Sequence, residues 1–313
     1  MSILPADTST TTQPVAPVQA APVENAPAIL WICIGWALGG MLVAWFLGVF
    51  RRRSIVGPQR LADGDSAWDM LVVLLFAYAA GILAYGFLFK AVHPTADGQK
   101  MLLQAASSLI TFIIGIMLLT RIRRGALSWI GLSPRRITEG VAIGTGTLFV
   151  IYPFVLLASV VVEQIYRHYK IPIEAHEILR FLNDSKSRRQ DMFAITLAVV
   201  LAPLSEELIF RGLLQTLLSR FFGWMYALRS LPQGTPVGLT PIPPPGAGVR
   251  WSAVITTSIV FAMIHPRPFW IPIFVLAIGL GYIYERKGNL WVTMTAHALF
   301  NTSQILFFLT SRH

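Results

Sequence analysis

Three short stretches in the second half of the chain place ionisable side chains inside long apolar runs. The first is Leu204-Ser205-Glu206-Glu207-Leu208-Ile209-Phe210-Arg211, and the second ends in Phe261-Ala262-Met263-Ile264-His265-Pro266. The third is His297-Ala298-Leu299-Phe300-Asn301. An ionisable group at membrane depth costs at least ~2.5 kcal/mol on insertion scales, so each of these needs a partner or a water-filled cavity. Glu207 and Arg211 are four apart, share a helix face, and can neutralise each other with the acid on the favoured N-terminal side. Glu206 is turned about 100° away, one residue at 3.6 per turn. It is left without that partner, as suits a general base that must take and return a proton. His297 and Asn301 again share one face. Polar contacts between packed helices are the other use such groups find.

Glu206, His265, His297 and Asn301 together are one carboxylate, two imidazoles and one amide. Peptide-bond hydrolysis needs an activated water, a proton donor for the leaving amine and a donor for the oxyanion. Glu206 can polarise the water directly, or Glu206, His265 and His297 can hold a Zn²⁺ that does so. The Asn301 amide offers an N–H for the tetrahedral intermediate. These three motifs, in this order on late apolar helices, resemble those of the CAAX-prenyl-protease and bacteriocin-processing (CPBP, abortive-infection type) family of intramembrane metalloproteases. The resemblance covers about residues 190–310. It implies Glu206, His265, His297 and Asn301 as the catalytic set, with Glu207 and Arg211 supporting them. It also implies a membrane-proximal peptide bond in a membrane protein or lipidated peptide as substrate. The Pro-rich connection between the first two motifs is longer than that family usually shows.

The elements that must position these groups follow from composition. Of 313 residues 55% are hydrophobic and only 13% are charged, which leaves too little charge to cover a soluble domain. The apolar residues come in blocks near the ~20 residues that span ~30 Å of hydrocarbon. The expectation is an all-α, polytopic integral membrane protein with about eight transmembrane helices and the site among the late ones. The blocks fall near 28–50, 68–91, 101–121, 138–162, 192–220, 251–265, 269–284 and 291–310. Residues 1–27, rich in Pro, Thr and Ala, read as a disordered tail ahead of a single membrane domain over 28–313. Gly35 and Gly39 offer a close helix approach in the first block. The polar stretch 163–191 contains a candidate surface amphipathic helix, and Pro241 to Gly246 forms an extended hinge or flap.

The net charge of +10 lies in the gaps between apolar blocks, as expected for loops facing cytoplasm and anionic lipid. This argues for the plasma (cytoplasmic) membrane and a lipid-bilayer partner, and against nucleic acid. Cys33 is the one cysteine, so neither an intrachain disulfide nor a thiolate cluster can form. A membrane transporter, or a non-catalytic immunity or scaffold protein, is the alternative use of the same buried groups. Simple alternation of spans puts Glu206 about 21 Å from the outer end of its helix and His265 about 21 Å from the inner end of its own, at 1.5 Å per residue. Their depths therefore differ unless a kink at Pro203, tilt or shifted boundaries brings them together.

Overall fold

The computed structural model describes residues 26–46, 48–49, 51, 55, 67–94, 97–122, 125–173, 177–184, 187–230 and 245–310. Among them the chain forms helices and turns without a strand. All eight apolar blocks fall on helices. They are α1 (Ala26–Phe46), α2 (Ala67–Val92), α3 (Asp97–Ile122), α5 (Ile137–His168), a rod over 188–230, α10 (Ala247–Met263), α11 (Trp270–Lys287) and α12 (Leu290–Thr310). Two short helices, α4 (Ala126–Trp129) and α6 (Glu177–Asp184), lie between them. Five helices in the described residues are long and apolar enough to cross a membrane, and Ile34–Trp45 and Ala247–Met263 are shorter apolar helices. The chain is an integral, multi-pass, all-α membrane protein. Of the tail expected over 1–27, residues 1–25 lie outside the described residues, as does 231–244 in the Pro-rich connection.

Helix α5 is the central post. It packs against α1, α11 and α12, while α2 pairs with α3 and α10 with α11. Small residues set these approaches. A Cβ on Gly144 would sit 2.6 Å from the Val292 carbonyl oxygen and 2.8 Å from the Thr295 Cβ, and one on Gly140 would collide with Trp291. The pair Gly140 and Gly144 is thus the close face between α5 and α12. Gly35 and Gly39 do not play that part, since a Cβ on either would meet nothing within 4 Å among the described residues; α1 approaches α5 at Gly40, where an added Cβ would sit 3.2 Å from the Val150 carbonyl oxygen.

The turn into α12 is built from two residues. Gly288 ends α11 in the left-handed region (φ 57), a conformation that costs glycine least. Asn289, fully buried, then accepts a hydrogen bond from the Trp291 amide at 3.1 Å, as an N-cap does. Its own amide donates to the Arg136 carbonyl at 3.2 Å, locking the start of α12 to the start of α5. In the polar stretch, α6 is the amphipathic helix expected there. Leu182 is buried, and Ile178, Leu179 and Phe181 pack with Ala194, Ala198 and Ile305.

Candidate active site

The rod over 188–230 carries the first motif, and it is not a regular helix. Three α segments, α7 (Arg188–Thr196), α8 (Ala202–Glu207) and α9 (Thr216–Ser230), are separated by π turns at Leu197–Leu201 and Leu208–Gln215. Glu206 and Glu207 thus stand between two widened stretches of backbone, a feature common at functional sites. Pro203 lies at the start of α8. It has no N–H and cannot continue an unbroken ladder.

Four of the expected residues meet. The Glu207 carboxylate, fully buried, lies 3.1 Å from Arg211 Nη1 and 2.9 Å from His297 Nδ1. The other face of the imidazole, Nε2, is 3.7 Å from Glu206 Oε2. That separation is beyond hydrogen-bond reach. His297 on α12 therefore stands between the two carboxylates of α8, tied to one and adjacent to the other. A carboxylate accepts, so the Nδ1 proton is donated to Glu207 and Nε2 is left to face Glu206. The two acids differ in access. The Glu206 side chain is 28% exposed and that of Glu207 is at 0%. Of the two carboxylates, Glu206 is the more accessible.

Phe261 connects this group to His265. Its buried ring lies 4.6 Å from the Arg211 guanidinium carbon, 4.9 Å from the Phe210 ring, 5.9 Å from the His297 ring and 4.9 Å from the His265 ring. Arg211 thus meets a carboxylate on one side and an aromatic face on another. His265 lies just past the end of α10, half-buried, and its Nδ1 donates to the Phe261 carbonyl at 2.8 Å. Trp270 Nε1 donates to the His265 carbonyl at 2.7 Å, which fixes the turn between α10 and α11. Asn301, one turn beyond His297, donates from Nδ2 to the Ala198 carbonyl at 2.8 Å.

Glu206 and His265 lie closer in depth than simple alternation of spans implies. Gln215, Arg250 and Glu285 form one buried layer, with Gln215 Nε2 and Arg250 Nη1 each 2.9 Å from a Glu285 oxygen. From that layer Glu206 is nine residues along its rod and His265 fifteen along α10. The offset is thus six residues, and the Phe261 ring lies in that interval, 4.9 Å from the His265 ring and 5.9 Å from the His297 ring. Among the described residues no three His, Cys, Asp or Glu side chains gather as metal ligands do. His297 Nδ1 is engaged by Glu207 and the Phe261 ring lies between His265 and His297, so Glu206, His297 Nε2 and His265 Nε2 are the atoms of the expected ligand set that a Zn²⁺ would draw on.

The i,i+4 pairing of Glu207 with Arg211 was legible from spacing. The contact of Glu207 with His297 and the central place of Phe261 were not, because both depend on how distant helices cross. The signal for the irregular backbone was Pro203, three residues ahead of Glu206 inside an apolar helix.

No curated protein and no solved structure matches the chain. Residues 188–303 match the family described as type II CAAX prenyl endopeptidase Rce1-like. That segment contains all three motifs and every residue of the cluster. Over residues 188–303, therefore, this membrane protein is similar to the Rce1-like family of type II CAAX prenyl endopeptidases, in agreement with the resemblance its motifs carry.

Proposed function

We propose that the chain is an intramembrane endopeptidase in which Glu206 activates the water that attacks a membrane-proximal peptide bond. The observation that carries this reading is the position of His297, oriented by Glu207 at Nδ1 and presenting Nε2 toward Glu206. A nucleophile or base, a partner imidazole and a third group that orients the imidazole form the arrangement that activates hydroxyl or water nucleophiles elsewhere.

In the proposed sequence a water seated against Glu206 and His297 Nε2 gives its proton to Glu206 as its oxygen bonds to the scissile carbonyl carbon. Glu207, held by Arg211, keeps the imidazole in one tautomer and stabilises it when Nε2 takes a proton. As the tetrahedral intermediate collapses and the C–N bond breaks, the leaving amine takes that proton from Glu206, directly or relayed through His297 Nε2, or takes one from His265 that the Glu206 proton then replaces. The atoms balance with one water consumed. Every group named belongs to this chain, and a Zn²⁺ bound on substrate entry is the alternative that chelation tests.

The substrate class we propose is a membrane protein or lipidated peptide presenting its cleavage site near the bilayer surface, with the plasma membrane as the site of action. The test uses purified protein in liposomes with two fluorogenic probes, a prenylated C-terminal peptide and a transmembrane peptide. Wild type is expected to cleave at least one of them, and Glu206→Gln is expected to lower the rate by roughly 10²–10⁴, the range for loss of a general base. Cleavage surviving that substitution rules the mechanism out.

A further inference from the structure

Asn301 makes a contact that the peptidase reading does not use. In the π turn Leu197–Leu201 the Ala202 N–H reaches back five residues to the Leu197 carbonyl. In that register the next amide, at position 203, would serve the Ala198 carbonyl. Position 203 is proline and has no N–H to give. The Asn301 side chain fills this place, with Nδ2 2.8 Å from the Ala198 oxygen. Ala198 and Pro203 are both buried, and a buried carbonyl deprived of its donor carries the full penalty of lost hydration.

We propose that Asn301 is a positioning residue that completes the helix broken at Pro203 and so sets the placement of Glu206. Pro203 opens the rod, Asn301 closes it from α12, and the segment between them carries Glu206 three residues after the proline. The chemistry of its amide offers Asn301 another role, as an oxyanion donor within the catalytic set that the resemblance implies. The two roles make opposite predictions for one double substitution, because an alanine at 203 restores a backbone N–H aimed at Ala198. This inference rests on the peptidase reading for its kinetic arm, and its stability arm is independent of that reading.

The experiment compares wild type, Asn301→Ala, Pro203→Ala and the double variant in liposomes, reading kcat and KM for the cleaved probe and the thermal midpoint of each protein. Asn301→Ala is expected to lower kcat at least tenfold with KM little changed, and to lower the midpoint. The double variant is expected to recover kcat to within about threefold of Pro203→Ala alone, and to recover the midpoint with it. A double variant no faster than Asn301→Ala overturns the proposal, because Asn301 then acts on the reaction itself. If Asn301→Ala does not purify folded, Asn301→Asp is read against the same Pro203→Ala background with the same criteria. If wild type cleaves neither probe, the peptidase reading fails, and the midpoints decide alone: non-additive loss supports the positioning role and additive loss refutes it.

Discussion

Replacing Glu207 by Gln removes one negative charge from a site where a cation and an imidazole both depend on it. The glutamine oxygen can still accept from His297 Nδ1, so the main loss is the charge facing Arg211 at 3.1 Å. Both side chains are at most 1% exposed. Removing one member of a buried pair typically costs ~3–5 kcal/mol, because the other charge is left uncompensated. Among the described residues Arg211 keeps a 3.4 Å contact to the Ala277 carbonyl, the Phe261 ring and the more distant charge of Glu206, which offset that loss in part. Glu207→Gln is therefore expected to destabilise by about 3 kcal/mol or more, over a hundredfold in the unfolding constant at ~1.4 kcal/mol per tenfold. Arg211→Met should cost less, since Glu207 keeps its bond from His297. The double variant should be more stable than Glu207→Gln alone, with a coupling of about 2 kcal/mol in the cycle. Reversible unfolding in micelles, followed by tryptophan fluorescence, measures all four proteins. A Glu207→Gln protein within 1 kcal/mol of wild type, or a double variant that recovers nothing, refutes the buried pair as described.

Other expectations follow from neighbouring contacts. Gly144→Ala should destabilise by ~1–3 kcal/mol because its Cβ meets backbone and Thr295 that cannot retreat. Gly146→Ala, on the same helix with nothing within 4 Å, should be neutral or stabilising by up to ~1 kcal/mol; the same unfolding assay checks both. Glu285→Gln removes the charge facing buried Arg250 and is expected to cost about 3 kcal/mol in that assay. Because the layer it belongs to anchors Gln215 at the end of the second π turn, cleavage should also fall. Dialysis against a strong chelator is expected to leave cleavage within about twofold, read with the same fluorogenic probe. Loss of activity restored only by Zn²⁺ would show that a metal enters the mechanism.

Much of the fold could be read from the chain because the bilayer imposes its own length on every spanning element. The apolar blocks at 68–91 and 291–310 lie within two residues of α2 and α12 at each end. Block 192–220 fell short of its rod by four residues at the start and ten at the end. Polar Arg188 to Asp191 and the mixed run from Arg220 to Ser230 continue the helix without an apolar signal. The Glu207–Arg211 pair was legible because i,i+4 neighbours meet within one helix. The assumption of 100° per residue also set Glu206 apart from Glu207, and their different partners and exposure agree with it. What spacing could not supply was the partner of Glu207 ninety residues away. A crossing of α8 with α12 is fixed by tertiary packing, including the glycines of α5 that let α12 approach. Gly35 and Gly39 show the converse, where a small-residue spacing exists without a helix packed on it among the described residues.

His297 between two acids is the centre of the proposed mechanism, and solid-state NMR of the protein in bilayers reads its position directly. With ¹⁵N-histidine and ¹³C-carboxyl glutamate, the His297 Nδ1 should carry the proton and lie within about 4 Å of the Glu207 carboxyl carbon, as a hydrogen bond of ordinary length requires. Nε2 should show a longer but detectable coupling to Glu206. A His297 ring with no dipolar contact to either carboxylate, in protein that still cleaves its probe, would contradict the arrangement and the mechanism built on it.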